Sequence, residues 1–278
     1  MIDTTFRARR PDLDFTEFRA REGRNKIHDY PAMLHYKVVE TLLKEYGRGA
    51  KTLYDPFCGS GVALVEGVKQ GKHVIGTDIN PLALLISDVR TKNLPHGELE
   101  KALLEIEKDY PSAIPDVPRI KNLNYWFKEN VIVDLGKLRS AIKKYKDTEI
   151  FPFLLVAFSQ TVRYVSNNRK GEFKRYRIDP TKLEQYNPDV WSEFEKVFRK
   201  YIESYRETLP EHVSVTLRLA DVREPLKFSA DIVITSPPYG DSRTTVAYGE
   251  FSSFSLEWLQ RLNPYGYAEI NLDKLSLG

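Results

Sequence analysis

Two short motifs carry residue types that could bind and react. The first is DPFCGSG, Asp55 to Gly61. Gly59 and Gly61 let the backbone pass close to a ligand. The helix that follows directs its N–H groups and positive dipole end at the same place. The turn is neither GxGxxG nor a Walker loop, since no Lys-Ser/Thr pair follows it. Asp55 would repel a phosphate and suits a positively charged ligand. Asp78 lies 23 residues further on, where doubly wound folds place the acid that binds ribose hydroxyls. S-adenosylmethionine has an ammonium, a sulfonium, a ribose and no phosphate, and it fits both acids. An ordinary strand-to-helix turn ending in Asp has the same composition.

The second motif is TSPPYG, Thr235 to Gly240, behind the apolar run DIVI. Pro237 and Pro238 donate no ladder hydrogen bond, so the chain must leave the sheet there. It leaves at the carboxyl end, where open α/β sheets bind ligands. The carbonyls of Ser236 and Pro237, the Ser236 hydroxyl and the flat face of Tyr239 suit one task. Acceptors on the hydrogens of an exocyclic nucleobase amine would localise its lone pair, and a stacked ring would hold the base. Such a base must first flip out of its duplex. A proline-rich turn without chemistry is the plain alternative.

The elements that would position these motifs are legible. KTLYDPF reads as a strand, VALVEGVKQG as a helix, KHVIGTDI as a strand and NPLALLISDVRTKNL as a helix. That order starts a parallel, helix-covered sheet. Ahead of it, AMLHYKVVETLLKEYG has helical spacing closed by Gly47. VSVTLRLAD (213–221) and DIVITSPP (231–238) supply two more strands. The stretch between, 95–212, carries helical spacing throughout and reads as an insertion. The expected organisation is therefore an arm at 1–26, an α/β domain at 27–94 and 213–278, and a helical insertion at 95–212.

At this point the residues resemble a family. DPFCGSG, GTDINPLA and TSPPY are similar to the motifs of amino-methylating DNA methyltransferases of restriction–modification systems, above all the cytosine-N4 group. IHDYPAMLHYKVVETLL (27–43) resembles that family's motif ahead of the first strand. The resemblance covers 27–94 and 213–259. It implies a Rossmann-like S-adenosylmethionine-dependent sheet and methyl transfer to N4 of a flipped cytosine in double-stranded DNA. It also implies residue roles. Tyr30, Pro31 and Ala32 would sit by the methionine part of the cofactor. Asp55, Phe57, Cys58, Gly59 and Gly61 would line it, and Asp78 would bind the ribose. Ile79, Asn80 and Pro81 would lie near the adenine, whose amine Asp221 would accept. Ser236, Pro237 and Pro238 would hold the target amine, with Tyr239 stacked on the base. Cys58 would not be a nucleophile, because cysteine-using relatives place that residue in another motif. Ser236 at the head of the motif favours cytosine; adenine N6, an RNA methyltransferase and a non-catalytic DNA-binding subunit stay open.

The family's sheet has seven strands, and only 39 residues follow Tyr239 here. No run of three further strands is visible in them. A half sheet would leave DIVI at an uncovered edge. A second polypeptide or second copy completing the sheet, a truncated chain and a minimal single chain are the competing accounts. Between Arg163 and Arg177 there are six Lys/Arg against one Glu. SNNRKGEFKRYR reads as a hairpin in which Arg169, Lys170, Lys174, Arg175 and Arg177 would contact DNA phosphates or base edges; a solvated basic loop is the alternative. Thr244, Thr245 and Tyr248 either shape the base pocket or cap the next helix.

Composition sets the outer bounds. The 278 residues carry 42 Lys+Arg against 39 Asp+Glu, a net charge of +3, too mild by itself to indicate nucleic acid. One cysteine excludes an intrachain disulfide and a cysteine-rich zinc site. The five histidines show no metal-ligand spacing, so no metal is expected. No apolar run is long enough for a membrane span and no secretory signal opens the chain, so a cytoplasmic location is expected.

Overall fold

A computed structural model of the chain describes residues 10–225, 227–237, 247–266 and 272. The elements run α1 (Tyr36–Tyr46), β1 (Thr52–Asp55), α2 (Val62–Lys69), β2 (His73–Asp78) and α3 (Pro81–Thr91). There follow α4 (His96–Asp109), α5 (Leu123–Trp126), α6 (Glu129–Lys143), α7 (Phe151–Val165), α8 (Pro180–Gln185) and α9 (Val190–Glu203). The chain then forms β3 (Val215–Leu219), β4 (Ile232–Val233) and α10 (Tyr248–Trp258). The fold is α/β and Rossmann-like. Its four described strands are all parallel, in the order β3-β2-β1-β4. Leu53 on β1 pairs with Val74 on one side and Ile232 on the other. The carboxyl ends of β1, β2 and β4 therefore lie together. Among the described strands β4 is at the edge, with Val233 56% exposed.

The helices divide into two layers. Tyr36, Val39 and Leu43 of α1 pack with Leu64 and Val68 of α2 on Leu53 and Val74 of the sheet. The second layer is built on α7. Its run from Phe153 to Phe158 has no exposed side chain, as expected of a helix that is apolar all round. These residues share one core with Leu82, Leu85 and Ile86 of α3, Phe198 of α9, and Phe254 and Trp258 of α10. The helices of 95–212 thus have no core separate from the α/β part. Among the described residues no helix is long and apolar enough to cross a membrane, and no His/Cys/Asp/Glu group could hold a metal ion.

Two expectations need correction. The helix expected from Ala32 begins only at Tyr36, where the His35 side chain caps it. Residues 27–35 form a loop instead, with His28 and Ala32 in left-handed conformation (φ +60° and +50°). Residues 10–26 are not a free arm. Arg24 is buried, donates to the Lys92 and Glu207 carbonyls and to Asn93 Oδ1, and stacks 4.2 Å from the Tyr205 ring centroid.

Candidate functional site

A cavity of about 270 Å³ opens at the carboxyl ends of the strands. Asp55 ends β1 and faces it. Asp55 Oδ1 accepts from Phe57 N at 3.1 Å and from Thr235 Oγ1 at 2.7 Å. Burial pushes its carboxyl up to about 7, and the nearby Asp78 charge adds to this, against the pull of the two hydrogen bonds. Asp78 ends β2. Its Oδ2 accepts from Gly59 N and its Oδ1 from Asn80 N, both at 2.8 Å, while burial raises it to about 6. Both carboxylates therefore shape the turn as well as face the cavity.

The turn itself is tightly determined. Gly61 caps α2 at φ +82°, and a Cβ there would lie 2.7 Å from Ser87 Oγ. Glycine is required by packing as well as by backbone conformation. The N–H groups of Cys58, Gly59 and Gly61 are all used within the protein, by Thr77 O, Asp78 and Cys58 O. They do not form a free anion cradle, in keeping with the cationic ligand expected from Asp55. What the turn offers a ligand is carboxylate, which suits a cation or hydroxyl groups rather than phosphate.

Tyr30, Pro31 and Ala32 also line the cavity. The Tyr30 ring lies on the glycine turn; a Cβ on Gly59 would sit 3.3 Å from its Cε1. Asn80 ties several pieces together. Its Oδ1 caps α3 through Leu82 N, and its Nδ2 donates to Tyr30 Oη and Ser252 Oγ. Phe57, Cys58 and Ile79 also line the cavity, and burial holds the Cys58 thiol well above its ordinary range. Ser236, just beyond β4, reaches the wall next to the Thr235–Asp55 hydrogen bond.

Not every expected residue is there. Gly61, Pro81 and Pro237 do not line the cavity; Pro81 is the first residue of α3, a position that needs no N–H. Pro238 and Tyr239 lie outside the described residues, as do Thr244 and Thr245. Asp221 is on the wall, but its carboxylate is held by Arg223 Nε at 2.9 and 3.0 Å, and that guanidinium lowers it to about 2. A ligand amine would share this carboxylate with Arg223.

The basic segment is a hairpin: Asn168 bridges Arg177, and Gly171 turns at φ +85°. It packs on α10, whose first residue Tyr248 lines the cavity. Phe173 meets Phe251, and Arg175 N donates to Glu250 Oε1. Arg169 and Lys170 are exposed, whereas Lys174 is half-buried. Arg175 and Arg177, also expected at DNA, are half-buried against aromatic rings. Arg177 stacks 4.2 Å from the Tyr125 centroid, and Arg175 lies 5.6 and 5.4 Å from the Trp126 and Phe254 rings.

Sequence reasoning missed Met33, Leu34 and Arg223 in the wall. It also missed Arg90 behind the wall. Met33 and Leu34 were hidden in apparent helical periodicity. Arg90 had a signal, the single cation in NPLALLISDVRT, whose first turns are apolar.

No protein-family model matches the chain. It is 37% identical over 291 residues to the type II methyltransferase M.MvaI of Kocuria varians, a match covering 96% of this chain and 64% of that protein. It is 31% identical over 101 residues to the type II methyltransferase M.MjaII of Methanocaldococcus jannaschii, covering 35% of this chain and 19% of that one. The chain thus spans less than two thirds of each of these relatives. The expectation of a second polypeptide gains no support from these matches. Among solved structures, the rRNA methyltransferase AviRa of Streptomyces viridochromogenes matches 87% of this chain and 75% of its own, at 17% identity and a TM-score of 0.31. That likeness is too loose to assign fold or function.

Proposed function

We propose that this chain is a DNA methyltransferase of a restriction–modification system, transferring a methyl group from S-adenosylmethionine to the exocyclic N4 of a flipped-out cytosine. One observation carries the reading. A single cavity gathers two strand-end carboxylates, the buried Asp55 and the half-buried Asp78, and the Ser236 that opens the SPPY motif. Likeness to two proteins named type II methyltransferases supports it.

The residues present fit the cofactor. The wall offers carboxylates rather than anion-binding N–H groups, and apolar and aromatic surface from Tyr30, Met33, Phe57 and Tyr248. Asp78 would take ribose hydroxyls on the lone pairs left by its backbone bonds, and Asp55 would face positive charge. Tyr30, Pro31 and Ala32 would enclose the methionine end; Ile79, Asn80 and Asp221 would border the base. When bound, S-adenosylmethionine supplies an electrophilic methyl group. Ser236 Oγ and the loop carbonyls would accept from the target amine, turning its lone pair out of the ring and taking up positive charge as it forms. Tyr239 would stack on the base. On the hairpin, Arg169 and Lys170 would contact phosphates.

Paired variants test the division of labour. Ser236→Ala should lower methyl transfer by roughly tenfold or more, with S-adenosylmethionine affinity within about twofold of the wild type. Asp78→Ala should lose affinity, since it removes both a ligand acceptor and the bonds that hold Gly59 and Asn80. Normal methylation by Ser236→Ala would overturn the catalytic assignment. Unchanged affinity in Asp78→Ala would overturn the cofactor assignment.

A further inference from the structure

Arg90 is fully buried near the end of α3. No carboxylate among the described residues forms an ion pair with it. Its guanidinium is instead surrounded by oxygen dipoles from two chain segments. On one side, Nε and Nη2 donate to Ile27 O at 2.9 and 2.5 Å, and Nη2 to His28 O at 3.0 Å. On the other, Nη1 donates to Ser60 O and Ser60 Oγ, both at 2.9 Å. Nη2 also lies 3.8 Å from Met33 Sδ. A buried cation left without a counter-ion is costly unless its donors are all used. Burial brings the group down to about 9, still charged at neutral pH.

Both segments border the cavity, and they touch where the Tyr30 ring lies on Gly59. Ile27 and His28 lead into Tyr30–Leu34, and Ser60 sits between the two glycines of the turn. The first segment also contains two non-glycine residues in left-handed conformation, His28 and Ala32. Such conformations persist only when the surroundings hold them. A planar fork with donors on both sides does this in a way a point charge cannot.

We propose that Arg90 is a positioning residue that clasps the loop 27–34 to the glycine turn and so sets the separation of the cavity walls. The clasp itself is independent of the ligand; its consequence for affinity rests on the cofactor reading above. Arg90→Lys keeps the charge but reaches only one of the two segments.

The test combines amide hydrogen exchange with S-adenosylmethionine binding on the whole chain. In Arg90→Lys, amides of 27–34 and 58–63 should exchange roughly tenfold or more faster, with the middle of α7 unchanged. The dissociation constant should rise roughly tenfold, and turnover at saturating cofactor should stay within about twofold. Wild-type exchange in both segments of folded Arg90→Lys would overturn the clasp. Loosened segments with unchanged affinity would overturn its control of the cavity. Loosened segments in a protein whose wild type binds no S-adenosylmethionine would uphold the clasp and overturn the proposed function. Should Arg90→Lys fail to fold, Ser60→Ala removes one hydrogen bond and should loosen the same segments by a smaller factor. Unchanged exchange there would count against the clasp.

Discussion

Asp55 sits at the end of β1, buried, with no ion-pair partner among the described residues and with Asp78 as a like charge nearby. Its folded carboxyl rises from 3.8 to about 7, so the folded state binds this proton more tightly than the unfolded chain does. The group therefore costs stability as pH rises from about 4 to about 7, and no further above that. Asp55→Asn keeps an oxygen for Thr235 and removes the titration. Its stability advantage over the wild type should grow between pH 5 and 7.5, as read by urea unfolding. A positively charged ligand needs the ionised form. S-adenosylmethionine affinity should rise from pH 6 to 8 in the wild type. In Asp55→Asn it should be weaker by roughly tenfold at pH 8 and nearly flat with pH. A wild-type affinity that falls over this range would contradict the charge argument. Asp55, Asp78 and Ser236 were legible in the sequence because strand ends and glycine turns are short-range features. The Asp221–Arg223 pair was not, because alternative partners for an exposed carboxylate leave no periodic trace.

At the scale of elements, the hairpin of residues 168–177 separates two kinds of basic residue. Arg169 and Lys170 are exposed, Lys170 with its Nζ 6.0 Å from the Tyr164 ring centroid, while the half-buried Arg175 and Arg177 lie on the rings of Trp126, Phe254 and Tyr125. Arg169→Ala and Lys170→Ala should each weaken duplex binding and reduce the salt slope by about 1, with cofactor affinity unchanged. Arg177→Ala should instead lower thermal stability through its lost stack. Equal salt slopes in all variants would remove the hairpin from the DNA interface. The charge cluster showed where the hairpin is. It did not show which arginines are occupied, because Tyr125 and Phe254 lie far along the chain. The start of α1 was misjudged for a related reason. Met33 and Leu34 continue the helical spacing, yet Ala32 takes φ +50° and the chain follows the cavity wall instead.

For the whole molecule, the four strands and the parallel, helix-covered sheet were legible in the sequence, since each strand carries its own apolar run; their order, β3-β2-β1-β4, is set by pairings far apart along the chain. The division at residues 95 and 212 is less sharp in space than along the chain. Phe153 of α7 meets Phe198 of α9, and the same core takes in α3 and α10. The helical segment and the sheet layer should therefore unfold together. Phe153→Ala should lower stability by about 3–5 kcal/mol and shift a single urea transition. Two separate transitions would indicate an independent helical domain.

The central claim is methyl transfer to an exocyclic amine of DNA. Its most direct test incubates the chain with labelled S-adenosylmethionine and mixed-sequence duplex DNA, then identifies the methylated nucleoside by mass spectrometry. The expected product is N4-methylcytosine, absent with Ser236→Ala. N6-methyladenine would keep the chemistry and change the base. 5-Methylcytosine, or label found in RNA and not in DNA, would contradict the account.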